Sequence, residues 1–256
     1  MRGRVLRRLV LDGHRDAEVN LRDATPSHAL VAGSRGAGTI DPVEPLDCNL
    51  VVVAVPPAHL AEVIAAALAE FPSATVTDVG SVKGAVLADL RARGLDLGRY
   101  CGSHPMAGSQ HTGPLTARAD LFTDRTWIIT PHDTSSAQAV LAVQHMARAC
   151  GARLVTMAAG HHDEAVAQVS HVPQLMSSLV GAGLLDVPPE HLRLAGQGLR
   201  DTTRIAGSDP RLWQDIIAAN ARAVRVELTE ILADLQRLVQ VLDDPAEVRD
   251  FLERGR

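Results

Sequence analysis

Residues 49–55 read NLVVVAV, and this run decides the fold. A continuous β-branched stretch is the pattern of a strand covered on both faces of a parallel sheet. Pro56-Pro57 ends it, because proline gives no hydrogen to a ladder. Downstream, residues 59–70 are Ala-rich and predict a helix, and residues 74–78 (ATVTD) predict a second strand. Residues 82–93 read as a helix, 99–103 as a short strand and 126–130 (TWIIT) as a strand closed by Pro131. Residues 135–150 predict a helix ended by Gly151, and 153–157 a last strand. Upstream, residues 18–21 form a short strand candidate closed by Asp23, and residues 4–13 a short helix. This alternation implies βαβ units in a doubly wound α/β sheet over residues 1–157.

From residue 158 the pattern is helical only, giving a second domain over residues 158–256. Residues 161–185 predict one helix kinked at Pro173, where a backbone hydrogen bond is lost. Asp209-Pro210 reads as an N-cap followed by proline at the first helical position. The helix it opens is expected to reach Leu242. Val224, Leu228, Ile231, Leu235, Leu238 and Leu242 alternate spacings of four and three along it, a heptad seam. Such a seam serves packing within the chain, a dimer interface, or both.

Composition removes several classes. The 256 residues are 46% hydrophobic and 21% charged, ordinary for a chain with a buried core. Net charge is −5, so no broad basic surface for nucleic acid or anionic membrane is indicated. Aromatics are 2%, too few for base-stacking platforms. No apolar run is long enough for a membrane span. Cys48, Cys101 and Cys150 lack paired or metal-like spacing, which suits a reducing cytoplasm. Of the 25 basic residues only Lys83 is lysine, which reads equally as a place where arginine would not serve or as chance retention of a surface lysine.

Ligands of an open parallel sheet bind beyond the carboxyl ends of its strands. The residues there are Pro56-Pro57, the run from Asp78 to Lys83, and GSHPMAGS from Gly102 to Ser109. His104 is placed at this edge, and histidine suits acid–base work near neutral pH. Taken alone it reads better as a hydrogen-bonded turn residue; Ser81, from the neighbouring strand end, is placed to orient it. The helical half adds His171 in SHVPQ, the run Arg200–Arg204 and, close behind, Trp213. An arginine held among Asp201, Thr202 and Thr203 suits bidentate carboxylate recognition, or an ordinary capping salt bridge. His161-His162-Asp163-Glu164 is not read as a metal site, because helix neighbours diverge and His171 lies half a turn away. It reads as a helix start, and no metal is expected.

DVGSVKG (78–84), GSHPMAGS (102–109), SHVPQ (170–174) and GLRDTTRIAGSDPRLWQDI (198–216) occur in this order. Together they closely resemble the prephenate/arogenate dehydrogenase family over nearly the whole chain. The resemblance implies an NAD(P)-dependent enzyme of tyrosine biosynthesis, a homodimer joined through its helical domain. Its reaction is oxidative decarboxylation: hydride leaves C4 of prephenate, the C1 carboxylate leaves as CO2, and the ring becomes aromatic. The product is 4-hydroxyphenylpyruvate, or tyrosine from arogenate. The resemblance makes His104 the acceptor of the C4 hydroxyl proton and gives Arg204 a substrate carboxylate. It places Ser81 beside the nicotinamide and makes His171 and Trp213 pocket walls. Asp23, Val55, Pro56 and Ser81 would hold the cofactor, with no role implied for Lys83.

The chain departs from the family at one end. A dinucleotide-binding domain opens with a strand and a G-x-G-x-x-G turn. The glycines of AGSRGAG, at 33, 36 and 38, follow the second strand and read as a loop. The expected fold therefore lacks its first strand and glycine turn, with Met1 read as a late start. The alternative is a homologue impaired in cofactor binding. Asp23, in the ribose position, favours NAD over NADP, since a carboxylate repels a 2′-phosphate. Gln110 leans toward prephenate, because a neutral amide cannot pair with the ammonium of arogenate. A β-hydroxyacid dehydrogenase is disfavoured by the SHVPQ and RDTTR segments. No C-terminal regulatory domain is expected after the long helix.

Overall fold

The computed structural model describes residues 18–107, 118 and 120–256. The expected helix over residues 4–13 and Gln110 lie outside this range. Strands β1 (Leu50–Val53) and β2 (Thr75–Asp78) pair in parallel. The next extended segment continues the sheet: a parallel bridge joins Val76 to Tyr100, and Cys101 N–H donates to Val76 O at 3.1 Å. That segment becomes β3 (Gly102–Pro105), which runs antiparallel to β4 (Thr126–Thr130). β4 is parallel to β5 (Arg153–Thr156). One pair in the sheet is thus antiparallel. The strand expected at 99–103 lies further on than its sequence suggested, and it includes His104.

The β1 run is covered on both faces, as its composition requires. Val51, Val53 and Val55 join the core formed with α2 (Leu60–Glu70) and α3 (Gly84–Ala92). Leu50, Val52 and Ala54 point the other way, into the core around Trp127, Val143 and Met146 under α4 (Ala137–Ala149). Leu60, Ile64 and Leu90 are fully buried, each stabilising the fold by about 1.5–3 kcal/mol.

Residues 18–21 form a single bridge rather than a strand. Asn20 pairs with Thr39 after α1 (Pro26–Ser34). The glycines of AGSRGAG explain the return. Gly36 takes φ +76° and donates to Gly33 O, while Ala37 N–H reaches Ala32 O, a Schellman ending. Gly38 lies against Val19 O, where a Cβ would collide. This loop ends a helix.

Residues 159–254 form helices joined by turns. α5 (Ala159–Val166) passes through a π-helical turn (Ala167–His171) into α6 (Val172–Ala182). The turn takes up the change at Pro173, which sits in the first turn of α6. Short helices α7 (Pro189–Leu192) and α8 (Gln197–Thr203) lead to a 3₁₀ turn, Arg204–Gly207. α9 (Pro210–Ala219) opens as expected, with the Asp209 side chain accepting from Arg211 N–H. The helix does not run on to Leu242. It breaks at the buried Asn220, and α10 (Ala221–Gln240) follows. Val224, Leu228 and Ile231 of the seam pack with Ala167 and Val172 inside the chain, while Leu235 and Leu242 are exposed. A last helix, α11 (Pro245–Arg254), repeats the Asp-Pro opening with Asp244 as its cap.

Candidate active site

The carboxyl edge of the sheet is held by a buried polar hub. Asp78 ends β2 with its side chain wholly enclosed. Its Oδ1 accepts from Lys83 Nζ and from Gly80 N–H at 2.8 Å, and its Oδ2 from the Tyr100 hydroxyl at 2.8 Å. Lys83 Nζ also donates to Ser103 O at 2.8 Å, and the Ser103 hydroxyl donates to Asp78 O at 2.7 Å. Burial first, then the Asp78 charge, holds the Tyr100 hydroxyl protonated well above its ordinary range, so it donates. A Cβ on Gly102 would meet Thr130 Oγ1 at 2.7 Å and the Tyr100 hydroxyl at 3.1 Å, so glycine leaves the space the hub occupies. The single lysine thus fixes the strand that carries His104. An ammonium is a compact charge, and a planar guanidinium would need more room.

His104 is half-buried on β3, opposite Ile128. Its Nδ1 lies 2.9 Å from Nε2 of His162 on α5, with the rings edge-on at 67°. The Nδ1 of His162, itself fully buried, lies 2.8 Å from Asp163 Oδ1. Asp163 also accepts the Lys83 and Gly84 amides, Oδ1 at 2.9 Å and Oδ2 at 2.8 Å. A carboxylate from the helical half therefore caps α3 of the sheet half, where the helix dipole favours negative charge. The expected reading of 161–164 as a helix start is corrected: α5 begins at Ala159, and Asp163 serves another helix. Adjacent His162 and Asp163 do converge. Ser81 is half-buried and makes no hydrogen bond to another described residue, so the partner at His104 Nδ1 is His162.

Asn220, at the break between α9 and α10, ties the site together. Its amide donates to Asp163 O at 2.7 Å and lies 3.1 Å from His171 Nδ1. His171 also meets the Trp213 ring edge-on, with centroids 6.0 Å apart. An α-helical count puts His171 half a turn from His162. The π turn between them uses more residues per turn, which rotates His171 back toward the His162 face. Burial pushes the His171 imidazole down to about 4, against the smaller opposing pull of Asp163. Protons therefore bind the unfolded chain more readily, and stability from this group is lost as pH falls from about 6.5 to about 4. Thermal unfolding followed across that window should show a falling midpoint, and His171→Gln should flatten the fall. An equally steep fall in the variant would assign it to other groups.

The other candidates are placed separately. Arg204 is exposed at the start of the 3₁₀ turn and has no hydrogen bond or ion pair to another described residue. Its loop is pinned to α6: Gln174 donates to Ile205 O at 2.9 Å, and Ser177 donates to Thr202 O at 2.7 Å and accepts from Ala206 N–H at 3.2 Å. Asp23 accepts from Thr25 N–H through Oδ1 at 2.7 Å, leaving Oδ2 without a hydrogen bond among the described residues. Val55 and Pro56 are half-buried just past β1. An unengaged carboxylate oxygen and an apolar strand end are compatible with a dinucleotide's ribose and ring. Among the described residues no three His, Cys, Asp or Glu side chains are grouped to hold a metal.

Sequence reasoning missed His162, Asp163 and Asn220. The available signal was polar residues on an otherwise apolar helix, and the Asn at a change of helical phase.

The comparisons with known proteins agree with this geometry. The nucleotide-binding domain model of prephenate dehydrogenase matches residues 4–156, and the dimerization domain model matches residues 158–253. A probable prephenate dehydrogenase, NovF of Streptomyces niveus, is 36% identical over 92% of this chain and 68% of its own length. The cyclohexadienyl dehydrogenase of Zymomonas mobilis is 35% identical over 75% of this chain and 67% of its own. The structure of Aquifex aeolicus prephenate dehydrogenase with hydroxyphenyl propionate and NAD+ superposes with a TM-score of 0.81. It is 28% identical, covering 91% of this chain and 85% of that one. With a Rossmann-like sheet domain followed by a helical domain, and both family models matched in order, the chain belongs to the prephenate dehydrogenase family.

Proposed function

We propose that the chain is an NAD-dependent prephenate dehydrogenase, forming 4-hydroxyphenylpyruvate on the route to tyrosine. The supporting observation is His104 at the carboxyl edge of the sheet, its Nδ1 engaged by a buried partner. His104 holds the C4 hydroxyl and takes its proton. Arg204 binds a substrate carboxylate through its planar fork, on a loop fixed by Gln174 and Ser177. Ser81 contacts substrate beside the nicotinamide, and His171 and Trp213 wall the pocket. Asp23 binds the adenosine ribose, and its charge disfavours the 2′-phosphate of NADP. Val55 and Pro56 line the cofactor. When bound, NAD supplies the hydride acceptor.

The division falls near residue 157, with the helical part forming a homodimer. Leu235, Val239 and Leu242 are exposed apolar residues on and just after α10 that such an interface would cover. The three cysteines are free thiols, which suits a reducing cytoplasm. The test is NADH formation from prephenate. NAD should support faster turnover than NADP, and prephenate faster than arogenate. Absence of turnover with either substrate would overturn the reading, and preference for arogenate would reassign the substrate.

A further inference from the structure

The reading above uses His162 only as the buried neighbour of His104 Nδ1 and gives Asp163 no role. We infer that they are positioning residues for His104, setting which of its nitrogens holds the lone pair; this rests on His104 being the base. Asp163 accepts two backbone amides, one at each oxygen. Its oxygens act as acceptors, so His162 Nδ1, 2.8 Å from Oδ1, carries a hydrogen and donates. A neutral His162 then has its lone pair on Nε2, 2.9 Å from His104 Nδ1. His104 Nδ1 in turn carries a hydrogen and donates, which leaves the His104 lone pair on Nε2. One carboxylate sets the tautomers of two imidazoles in series.

The same chain acts when the base is charged. As the substrate O–H bond breaks, an Nε2–H bond forms on His104, and no other proton moves. The resulting imidazolium still donates from Nδ1 to His162 Nε2, an acceptor strengthened by Asp163. His162 is fully buried, so water does not compete for these bonds. Asp163 holds its place through the first amides of α3 and through Asn220, so the ring is aimed from the helical domain at a strand of the sheet domain.

Ring 1H–15N spectra of the unsubstituted full chain test the tautomers directly, assigned through His104→Asn and His162→Gln. Both rings should be protonated at Nδ1 and bare at Nε2. In prephenate turnover, His162→Leu should lose roughly 10–100-fold in kcat, by analogy with the loss when the partner that orients a metal-bound histidine is removed. His162→Gln, whose amide oxygen still accepts from His104 Nδ1–H, should recover part of that loss. KM for prephenate should change little in either variant. His104 protonated at Nε2, or full kcat in His162→Leu, overturns the inference. Should His162→Leu not fold, the spectra and the glutamine variant decide. An inactive His104→Asn beside a fully active His162→Leu removes the positioning role alone, whereas a fully active His104→Asn removes the base as well.

Discussion

Asparagine in place of His104 should lower kcat by roughly 10²–10⁴, the range that a positioned general base contributes. The substitution separates two functions of the ring. The asparagine amide can still donate toward His162 Nε2, which lies 2.9 Å from His104 Nδ1. It has no group that takes a proton near neutral pH. Prephenate should therefore bind with nearly unchanged KM while the chemical step slows, the signature of an interaction made in the transition state. The fold should tolerate the change, because His104 is half-buried and β3 keeps its pairing with β4. The check is steady-state turnover with a thermal melt alongside. A folded variant retaining wild-type kcat would remove His104 as the base.

Lys83→Met should destabilise the protein by about 3–5 kcal/mol, the cost of leaving a buried charge without its partner. The Lys83 side chain is 1% exposed and that of Asp78 is 0% exposed, so water cannot replace the ammonium. The midpoint of thermal unfolding should fall by roughly 10 °C for a chain of this size. Ser103 O loses its donor in the same step, one residue from His104. Adding Asp78→Asn to Lys83→Met should recover part of the loss, since the orphaned charge is then removed. A single variant melting within a degree or two of the unsubstituted protein would show that the pair does not hold the sheet edge.

What could be read in advance was whatever had a local period or a local stop. NLVVVAV gave β1, with both faces covered, and TWIIT gave β4 to the residue. Asp209-Pro210 gave the start of α9, and the same signal at Asp244-Pro245 marked α11 without being read. The break at Asn220 is hidden because the apolar spacing continues across it, while the contacts Asn220 makes there, to Asp163 O and His171, are long-range. His104 was found as a residue, but its element was displaced because pairing with β4, not local propensity, extends β3 through Pro105. Its partner was lost to a geometric argument that assumed one uniform helix. Helix geometry makes neighbours His162 and Asp163 diverge, yet their side chains meet, Nδ1 to Oδ1 at 2.8 Å. Lys83 was marked by composition, and its role needed coordinates, since Asp78 and Ser103 O meet it only in the fold.

The π turn at Ala167–His171 bears on how this chain can be compared with others. Deleting one residue there would restore an ordinary helical turn and rotate everything after it by about 100°. Gln174 and Ser177 would swing off the loop they pin, and His171 would leave Asn220. The interval from His162 to Ser177 is therefore a unit of fixed length. An alignment gap inside it signals a different pocket, even where every flanking residue is retained.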